Sequence, residues 1–261
     1  MEGLDGGVMT LTLNRPERMN ALNIALIEAL TAAVGRAAAD SGCRSVLITG
    51  EGRGFCSGAD LTDRALAPGA SRPDLGHSLD TRYNPFIRAL RALPKPVVCA
   101  VNGAAAGAGA SVALACDIVL AAKSAQFLQA FARIGLIPDA GATWVLPRLV
   151  GEARARGLMM LADPIGAEQA AAWGMIYRVV DDQDLMGEAR TIAERLAAGP
   201  THALGLIKRA LAASPGASLD VQLDFERDLQ RDAGGRDEYV EGVRAFLEKR
   251  PADFSRVTTA K

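Results

Sequence analysis

The sequence predicts an α/β fold that ends in an all-helical part. Short runs of β-branched and apolar residues alternate with Ala- and Leu-rich stretches of helical spacing through the first half of the chain. Beyond Asp184 every pattern is helical. The chain has 261 residues, of which 49% are hydrophobic, and this is enough for one large domain with or without an appendage.

The strands of the core are predicted from short apolar runs. The stretch VMTLTLN alternates between apolar and polar residues, which is typical of a half-buried strand. The stretches SVLIT, PVVCAVN and DIVLA are mostly apolar, which is typical of buried strands. Strands are therefore predicted over residues 8–14, 45–49, 96–102 and 117–121, with a last short strand over 176–180.

Helices fill most of the remaining sequence. They are predicted over residues 20–40, 79–93, 103–116, 144–162 and 167–174. After Asp184, Gly and Pro break the helical pattern at positions 199–200, 214–216 and 234–235. We therefore divide the chain into an α/β core over residues 1–200 and a helical carboxyl-terminal region over residues 201–261. That region is expected to pack on its own core or on a neighbouring subunit.

Composition and charge argue against several classes of protein. A formal net charge of −1 gives no basic excess for nucleic acid, and the apolar runs are shorter than the ~20 residues that cross a bilayer. The first residues, MEGLDGGVMT, lack the features of a secretory signal. The four cysteines form no CxxC pair, and His77 and His202, both expected at the surface, lie far from them in sequence. We expect a cytoplasmic protein that binds no metal.

Two glycine-rich segments, GRGFCSGADL and GAAAGAGAS, depart from the common nucleotide-binding patterns. Neither has the GxGxxG spacing or the GxxxxGK[ST] sequence. Two interpretations stay open. The small residues let backbones pack closely, or they expose N–H groups at a strand end and at a helix start. Two such donors that converge on one oxygen form an oxyanion hole.

A single carboxylate, Asp139, lies in the otherwise uncharged stretch GLIPDAGATW. Asp beside Pro and Gly is common in turns, because its side chain bonds its own backbone. A carboxylate in an apolar setting is also typical of a proton-transfer group. The two interpretations are compatible with each other, and the stretch alone does not separate them.

Five segments carry a resemblance over nearly the whole chain: LNRPERMNAL, GFCSGADL, AVNGAAAGAGASVALACDIVLAAKSAQF, GLIPDAGATW and EGVRAFLEKR. Taken together and in this order, they resemble the enoyl-CoA hydratase/isomerase (crotonase) superfamily. Further segments, such as YNP at 83–85 and WGMI at 173–176, resemble the branch that isomerises ring-1,2-epoxyphenylacetyl-CoA. The resemblance implies a crotonase-like spiral of ββα units with a helical trimerisation region, assembled as a homotrimer or a dimer of trimers.

The resemblance also implies a chemistry. The substrate is an acyl-CoA thioester, and no separate cofactor is implied because coenzyme A is part of the substrate. The backbone N–H groups of Ala59 and Ala108 are the implied oxyanion hole. Hydratases of the superfamily carry two glutamates where this chain has Ser111 and Phe131, and neither of these exchanges a proton as a carboxylate does. Isomerases carry an acid eight residues after the second position, which is Asp139 here.

Further positions are predicted to contact the acyl group or coenzyme A. They are Arg15, Arg18, Ala21, Ser57, Gly58, Asp60, Leu61, Gly107, Ser111, Phe131 and Pro138. Arg15 and Arg18 suit the CoA phosphates because a guanidinium favours phosphate, although a solvated surface role is equally open. Tyr83, Phe86 and Trp144 are candidates for the acyl pocket or for the core. Cys56 is expected to be a packed thiol.

These observations lead to one hypothesis and two alternatives. The hypothesis is a CoA-thioester isomerase that acts on the ring-1,2-epoxide of phenylacetyl-CoA and on β,γ-unsaturated enoyl-CoA. The first alternative is a general aliphatic Δ3,Δ2-enoyl-CoA isomerase. The second is a catalytically silent member that binds acyl-CoA without turnover.

Overall fold

The computed structural model describes residues 1–64 and 72–254, and its strands form two sheets. The larger sheet has the order β1-β2-β3-β5-β7-β10, and the smaller has the order β4-β6-β8-β9. The strands are β1 (Glu2–Asp5), β2 (Val8–Leu13), β3 (Ser45–Gly50), β4 (Gly54–Cys56), β5 (Val97–Val101), β6 (Ala104–Ala106), β7 (Ile118–Ala122), β8 (Gln126–Leu128), β9 (Ile165–Gly166) and β10 (Arg178–Val180).

The chain alternates between the two sheets. Strands β3, β5 and β7 pair in parallel in the larger sheet, and each is followed directly by β4, β6 or β8 of the smaller sheet. Helical structure follows each such pair of strands. Parallel strands need a crossover connection, and here the helices supply it. The arrangement confirms the crotonase-like spiral of ββα units.

Eleven α-helices are described. They are α1 (Ile24–Ala39), α2 (Leu75–Ser78), α3 (Asn84–Ala92), α4 (Ala108–Leu114), α5 (Ala142–Val150), α6 (Glu152–Leu161), α7 (Ala167–Ala172), α8 (Leu185–Ala198), α9 (Thr201–Ala213), α10 (Leu219–Gly234) and α11 (Asp237–Leu247). A π-helical turn, Leu79–Tyr83, joins α2 to α3. Strands β3 and β5 and helix α4 are buried along their whole length, so the core lies around the centre of the larger sheet.

The five predicted strands are confirmed, and the predicted helices differ at their ends. The helix predicted from residue 20 begins at Ile24, because the Asn23 side chain accepts a hydrogen bond from the Leu26 N–H and caps it. The helix predicted over 144–162 is two helices, α5 and α6, which are separated at Gly151 with a φ of +79°. The segment 103–116 contains strand β6 before helix α4 begins.

The carboxyl-terminal helices begin at Thr201, and α9 packs on the core. A Cβ at Gly205 would lie 2.6 Å from the Pro94 carbonyl oxygen, so only glycine allows this approach. Nearby, Lys208 donates hydrogen bonds to the Leu90 carbonyl oxygen at 3.1 Å and to the Asp117 carboxylate at 2.8 Å. The division at residue 200 stays a prediction, and the predicted region extends to residue 261, outside the described residues.

His202 lies at the start of α9 and is partly exposed, which agrees with the predicted surface position. Its side chain is 24% exposed, and its Nε2 atom lies 3.1 Å from an Asp232 carboxylate oxygen. The Glu238 carboxylate of α11 accepts hydrogen bonds from the His202 and Ala203 N–H groups at the start of α9. His77 is exposed, as predicted.

Candidate active site

The first glycine-rich segment leaves strand β4 and presents the backbone of Ala59. Gly58 has a φ of +98°, which glycine adopts at little cost. Its carbonyl oxygen accepts a hydrogen bond from the Leu22 N–H at 2.7 Å, and the Asp60 N–H donates to the Leu22 carbonyl oxygen at 3.0 Å. Ala59 lies between these two bonds. Within residues 1–64 and 72–254, no hydrogen bond from the Ala59 N–H is found.

The second glycine-rich segment presents the N–H of Ala108, the first residue of α4. Gly107 precedes it with a φ of +51°. The first N–H groups of a helix lack an intrahelical partner, and no partner of the Ala108 N–H is found among the described residues. The α4 axis also places the positive end of its dipole here. The geometry leaves the Ala108 N–H available to a ligand, and its role as an oxyanion-hole donor stays a prediction.

The two segments meet at their glycines. A Cβ at Gly58 would lie 2.8 Å from the Ala106 carbonyl oxygen and 3.4 Å from the Ala108 nitrogen. A Cβ at Gly107 would lie 4.0 Å from the Gly58 Cα. The absent side chains therefore let the two backbones approach, so close packing and exposed N–H donors are both properties of this contact. The two interpretations of the glycines do not exclude each other.

Asp60 and Arg15 bond to each other beside this contact. The Arg15 Nη1 atom lies 2.8 Å from the Asp60 carboxylate and also donates to the Ala21 carbonyl oxygen at 2.7 Å. The Thr62 hydroxyl donates to the other carboxylate oxygen at 2.6 Å. The hydrogen bonds from Thr62 and Arg15 lower the pKa of Asp60 to about 2. Both residues thus hold the loop around Ala59, and their predicted contact with CoA stays a prediction.

Replacing Asp60 with asparagine is expected to lower Tm at pH 7, because the charged hydrogen bonds are lost. The folded-state pKa is depressed, so the carboxylate stabilises the fold above its ordinary pKa of 3.8 and loses this effect as the pH falls toward about 2. The Tm difference between wild type and variant should therefore narrow from about pH 4 downward. Thermal melts followed by circular dichroism measure it, with the exposed Asp163→Asn variant as a control. A Tm difference between wild type and Asp60→Asn that does not change with pH would show that the Asp60 carboxylate does not stabilise the fold through its charge.

Asp139 lies in a tight turn before α5. The Ala142 N–H donates to the Asp139 carbonyl oxygen at 3.0 Å, and the two central residues, Ala140 and Gly141, have φ values of +51° and +82°. The Asp139 side chain is half-buried, and its Oδ1 atom is shielded from solvent. The turn that the sequence suggested is confirmed, and the carboxylate it carries is partly desolvated. Pro138, the residue before it, is also half-buried.

Ser111 and Phe131 lie beside Gly107, and neither side chain is an acid. The Ser111 hydroxyl is buried and donates to the Gly107 carbonyl oxygen at 3.2 Å. The Phe131 ring lies 3.9 Å from the position that a Cβ at Gly107 would take. Phe131 begins the segment that reaches Asp139, and its carbonyl oxygen accepts the Leu136 N–H at 3.0 Å. Asp139 lies eight residues further along the chain than Phe131, which lies beside Gly107.

A cleft of about 160 Å³ adjoins Asp60 on the α1 side. It is lined by apolar residues at the start of α1 and by the segment around Tyr83: Leu22, Ile24, Ile27, Asp60, Pro73, Asp74, Leu75, His77, Ser78, Arg82 and Tyr83. Tyr83 thus lines a cleft, whereas Phe86 lies in the core and is 1% exposed. Trp144 is 39% exposed and stacks under the Arg148 and Arg91 guanidinium groups.

The other predicted contact residues differ in exposure. Arg18, Ser57 and Leu61 are exposed, and Ala21 is buried. Cys56 is buried, and burial raises the pKa of its thiol to about 12, so it is a packing residue as expected. Among the described residues, no group of three or more His, Cys, Asp or Glu is placed to hold a metal ion.

Sequence reasoning overlooked Asn20. It is fully buried, has a φ of +55°, and bonds to the segment that leads into Ala59. The sequence signal is weak, because an Asn in a loop is usual at turns. Two of its partners, the Glu51 and Gly54 carbonyl oxygens, lie more than thirty residues away in sequence and are brought close only by the fold.

Comparison with known proteins identifies the family. The family model described as enoyl-CoA hydratase/isomerase matches residues 3–257. The chain belongs to this family. It is 53% identical over 252 residues to the 1,2-epoxyphenylacetyl-CoA isomerase of Escherichia coli (strain K12), which covers 97% of this chain and 96% of that protein. It is 36% identical to the trans-2-decenoyl-[acyl-carrier-protein] isomerase of Streptococcus mutans, with 97% and 96% covered.

A solved structure in the family has the same fold as this member. The enoyl-CoA hydratase from Polaromonas sp. JS666 superposes with a TM-score of 0.89 at 36% identity, and the match covers 97% of this chain and 98% of that one. The match includes the helical carboxyl-terminal part, since nearly the whole chain is covered. The crotonase fold predicted from the sequence is thereby confirmed.

Proposed function

We propose that this family member is a CoA-thioester isomerase that converts 2-(1,2-epoxy-1,2-dihydrophenyl)acetyl-CoA to oxepin-CoA. It also moves a β,γ double bond of an enoyl-CoA to the α,β position. The observation that supports this most is the set of groups at the Gly58–Gly107 contact: two N–H donors without partners in the described residues, and no acid at positions 111 and 131. The similarity to the Escherichia coli isomerase supports the choice of acyl group.

In the double-bond shift, Asp139 carries the proton and the two N–H groups stabilise the enolate. Asp139 takes a proton from the α-carbon and returns it at the γ-carbon, so the same carboxylate acts first as base and then as acid. The Ala59 and Ala108 N–H groups bind the thioester oxygen and stabilise the enolate between the two steps. Coenzyme A is part of the substrate, and the proposal needs no other cofactor. No step transfers electrons or adds water.

Turnover of the purified protein with the ring-1,2-epoxide thioester tests the acyl group. The epoxide should be converted to the oxepin isomer with a higher kcat/KM than an aliphatic 3-enoyl-CoA of similar length. The opposite ranking would favour the alternative of a general Δ3,Δ2-enoyl-CoA isomerase, for which the similarity to the Streptococcus mutans isomerase is the supporting observation. Binding of phenylacetyl-CoA without turnover of either substrate would indicate a catalytically silent member.

Hydration of crotonyl-CoA is expected to be negligible. Water addition needs a group that activates water and another that supplies a proton, and Ser111 and Phe131 stand where hydratases carry their carboxylates. The Ser111 hydroxyl already donates a hydrogen bond to the Gly107 carbonyl oxygen. Loss of the ultraviolet absorbance of the conjugated thioester of crotonyl-CoA measures the rate. A rate close to that of a dedicated hydratase, measured side by side, would overturn the isomerase proposal.

We further propose that the protein assembles as a homotrimer or a dimer of trimers. Helix α11 supports this, because it exposes Tyr239, Val243, Phe246 and Leu247, of which Phe246 is 81% exposed. An open cavity of about 630 Å³ lies between α10 and α11 beside these residues. Large exposed apolar patches mark contact surfaces. Multi-angle light scattering distinguishes the monomer, the trimer and the hexamer.

The expected location is the cytoplasm. No helix in the described part of the chain is long and apolar enough to cross a membrane. The four cysteines are buried and unpaired. Free thiols are usual where the surroundings are reducing, and this supports the proposal.

A further inference from the structure

The Asn20 side chain joins two segments that are distant in sequence. Its Nδ2 group donates to the Glu51 carbonyl oxygen at 2.9 Å and to the Gly54 carbonyl oxygen at 2.8 Å. Its Oδ1 atom accepts from the Arg15 N–H at 2.9 Å. The residue is 0% exposed. All three partners are backbone groups, so the amide connects the backbone around residue 15 to the backbone of residues 51–54.

Backbone contacts on either side of Asn20 extend the same junction toward Ala59. The Cys56 thiol donates to the Asn20 carbonyl oxygen at 3.1 Å, and the Ser57 N–H donates to the Met19 carbonyl oxygen at 2.9 Å. The Leu22 backbone then bonds to Gly58 and Asp60 on the two sides of Ala59. The backbone on both sides of Ala59 is therefore held by a series of hydrogen bonds to residues 19–22, and the Asn20 side chain anchors the same segment.

Few side chains meet the demands of this position. It needs two donors and one acceptor in a single short group, and a backbone φ of +55°. An asparagine amide supplies the donors and the acceptor, and asparagine is one of the few non-glycine residues that are common in the left-handed region. An aspartate of the same shape would replace the Nδ2 group with a carboxylate oxygen, which would face the Glu51 and Gly54 carbonyl oxygens without a hydrogen to donate. The chemistry at position 20 is thus more specific than its place in a loop suggests.

We propose that Asn20 is a positioning residue of the oxyanion hole, which fixes the direction of the Ala59 N–H without touching the substrate. This inference rests on the proposed function, because it assumes that Ala59 binds the thioester oxygen. Its consequence is that Asn20 controls how strongly the bound carbonyl is polarised. Displacement of a catalytic group by about 1 Å costs roughly 10²-fold in rate.

The test uses the full-length protein and phenylacetyl-CoA labelled with ¹³C at the thioester carbonyl, a ligand that cannot isomerise. Hydrogen bonds to the carbonyl oxygen move its ¹³C resonance downfield on binding. In Asn20→Asp we expect most of this shift to be lost and kcat to fall about 10- to 10²-fold. The Kd of the ligand should change much less. Asn20→Gly keeps the left-handed backbone and carries the same expectation if the aspartate variant does not fold.

The Asn23→Ala variant is the matched control. Asn23 also uses its amide to bond backbone, but it caps α1 and has no contact with the segment from Glu51 to Ala59 among the bonds described. Its Tm should fall while the carbonyl resonance and kcat stay as in wild type. A folded Asn20 variant with the wild-type shift and turnover would overturn the inference and leave the proposed function intact. A wild-type protein that binds the ligand without any downfield shift would instead overturn the oxyanion hole itself.

Discussion

Replacing Ala108 with proline is expected to lower turnover by about 10²–10³-fold, the usual effect of losing one oxyanion-hole donor. Ala108 is the first residue of α4, and proline is well tolerated at the first position of a helix because its missing N–H has no helical partner there. In the described residues the Ala108 N–H donates to nothing, so the folded protein loses no internal hydrogen bond. The loss should therefore appear in catalysis and not in folding.

The preceding residue makes this substitution feasible. Proline disfavours helical backbone at the residue before it, and Gly107, with a φ of +51° and a ψ of −128°, is far from helical. Leu219→Pro is the matched control, because Leu219 is the exposed first residue of α10 after Ser218, whose ψ is 164°. Circular dichroism and light scattering should show both variants folded and assembled. Full turnover by a folded Ala108→Pro would show that Ala108 is not a donor.

The local hydrophobic pattern of the sequence predicts the long strands and helices of the fold. It does not predict the strands of the smaller sheet. The apolar run Ser45–Gly50 is a buried strand in the structure as predicted. The strands of the smaller sheet, such as Ala104–Ala106, are two or three residues long and rich in Gly and Ala. Alternation cannot be recognised over three residues, and alanine has low β-propensity. These strands form because the larger sheet and α4 bring them together.

The residues of the candidate site also divide into those that a local sequence pattern predicts and those that depend on the tertiary fold. Ala59, Ala108 and Asp139 were predicted through motifs that are continuous in sequence, and their catalytic roles stay predictions. Asn20 was not predicted, because its role depends on contacts with Glu51 and Gly54 that local pattern does not contain. Arg15 was expected to be a phosphate contact or a solvated cation, and the structure pairs it with Asp60. A local sequence pattern does not predict residues whose hydrogen-bond partners are distant in sequence.

Replacing Asp139 with asparagine is expected to reduce double-bond isomerisation by roughly 10²–10⁴-fold, the usual contribution of a general base. Asparagine has the size of aspartate and the same ability to form turns, but it cannot accept and return the proton. The bond between the Ala142 N–H and the Asp139 carbonyl oxygen belongs to the backbone, so the substitution retains it. The left-handed residues that shape the turn, Ala140 and Gly141, are unchanged.

Binding and chemistry should respond differently to this change. The N–H groups of Ala59 and Ala108 hold the thioester oxygen in the proposal, and neither is altered in Asp139→Asn, so the Kd of phenylacetyl-CoA should stay nearly the same. Incorporation of solvent deuterium at the α-carbon of the substrate should fall together with turnover, because both need the carboxylate. The exposed Asp163→Asn variant removes a carboxylate after α6 and is the control for the loss of one negative charge.

The decisive measurement combines steady-state turnover of a 3-enoyl-CoA with mass-spectrometric detection of deuterium at the α- and γ-carbons. A base that returns the same proton gives less γ-deuterium than one that exchanges with water first, so the wild-type ratio also reports how well the half-buried carboxylate is shielded. Asp163→Asn should match wild type in both rate and labelling. If Asp139→Asn also matches wild type, Asp139 is a turn residue alone, and the proton must be carried by another group.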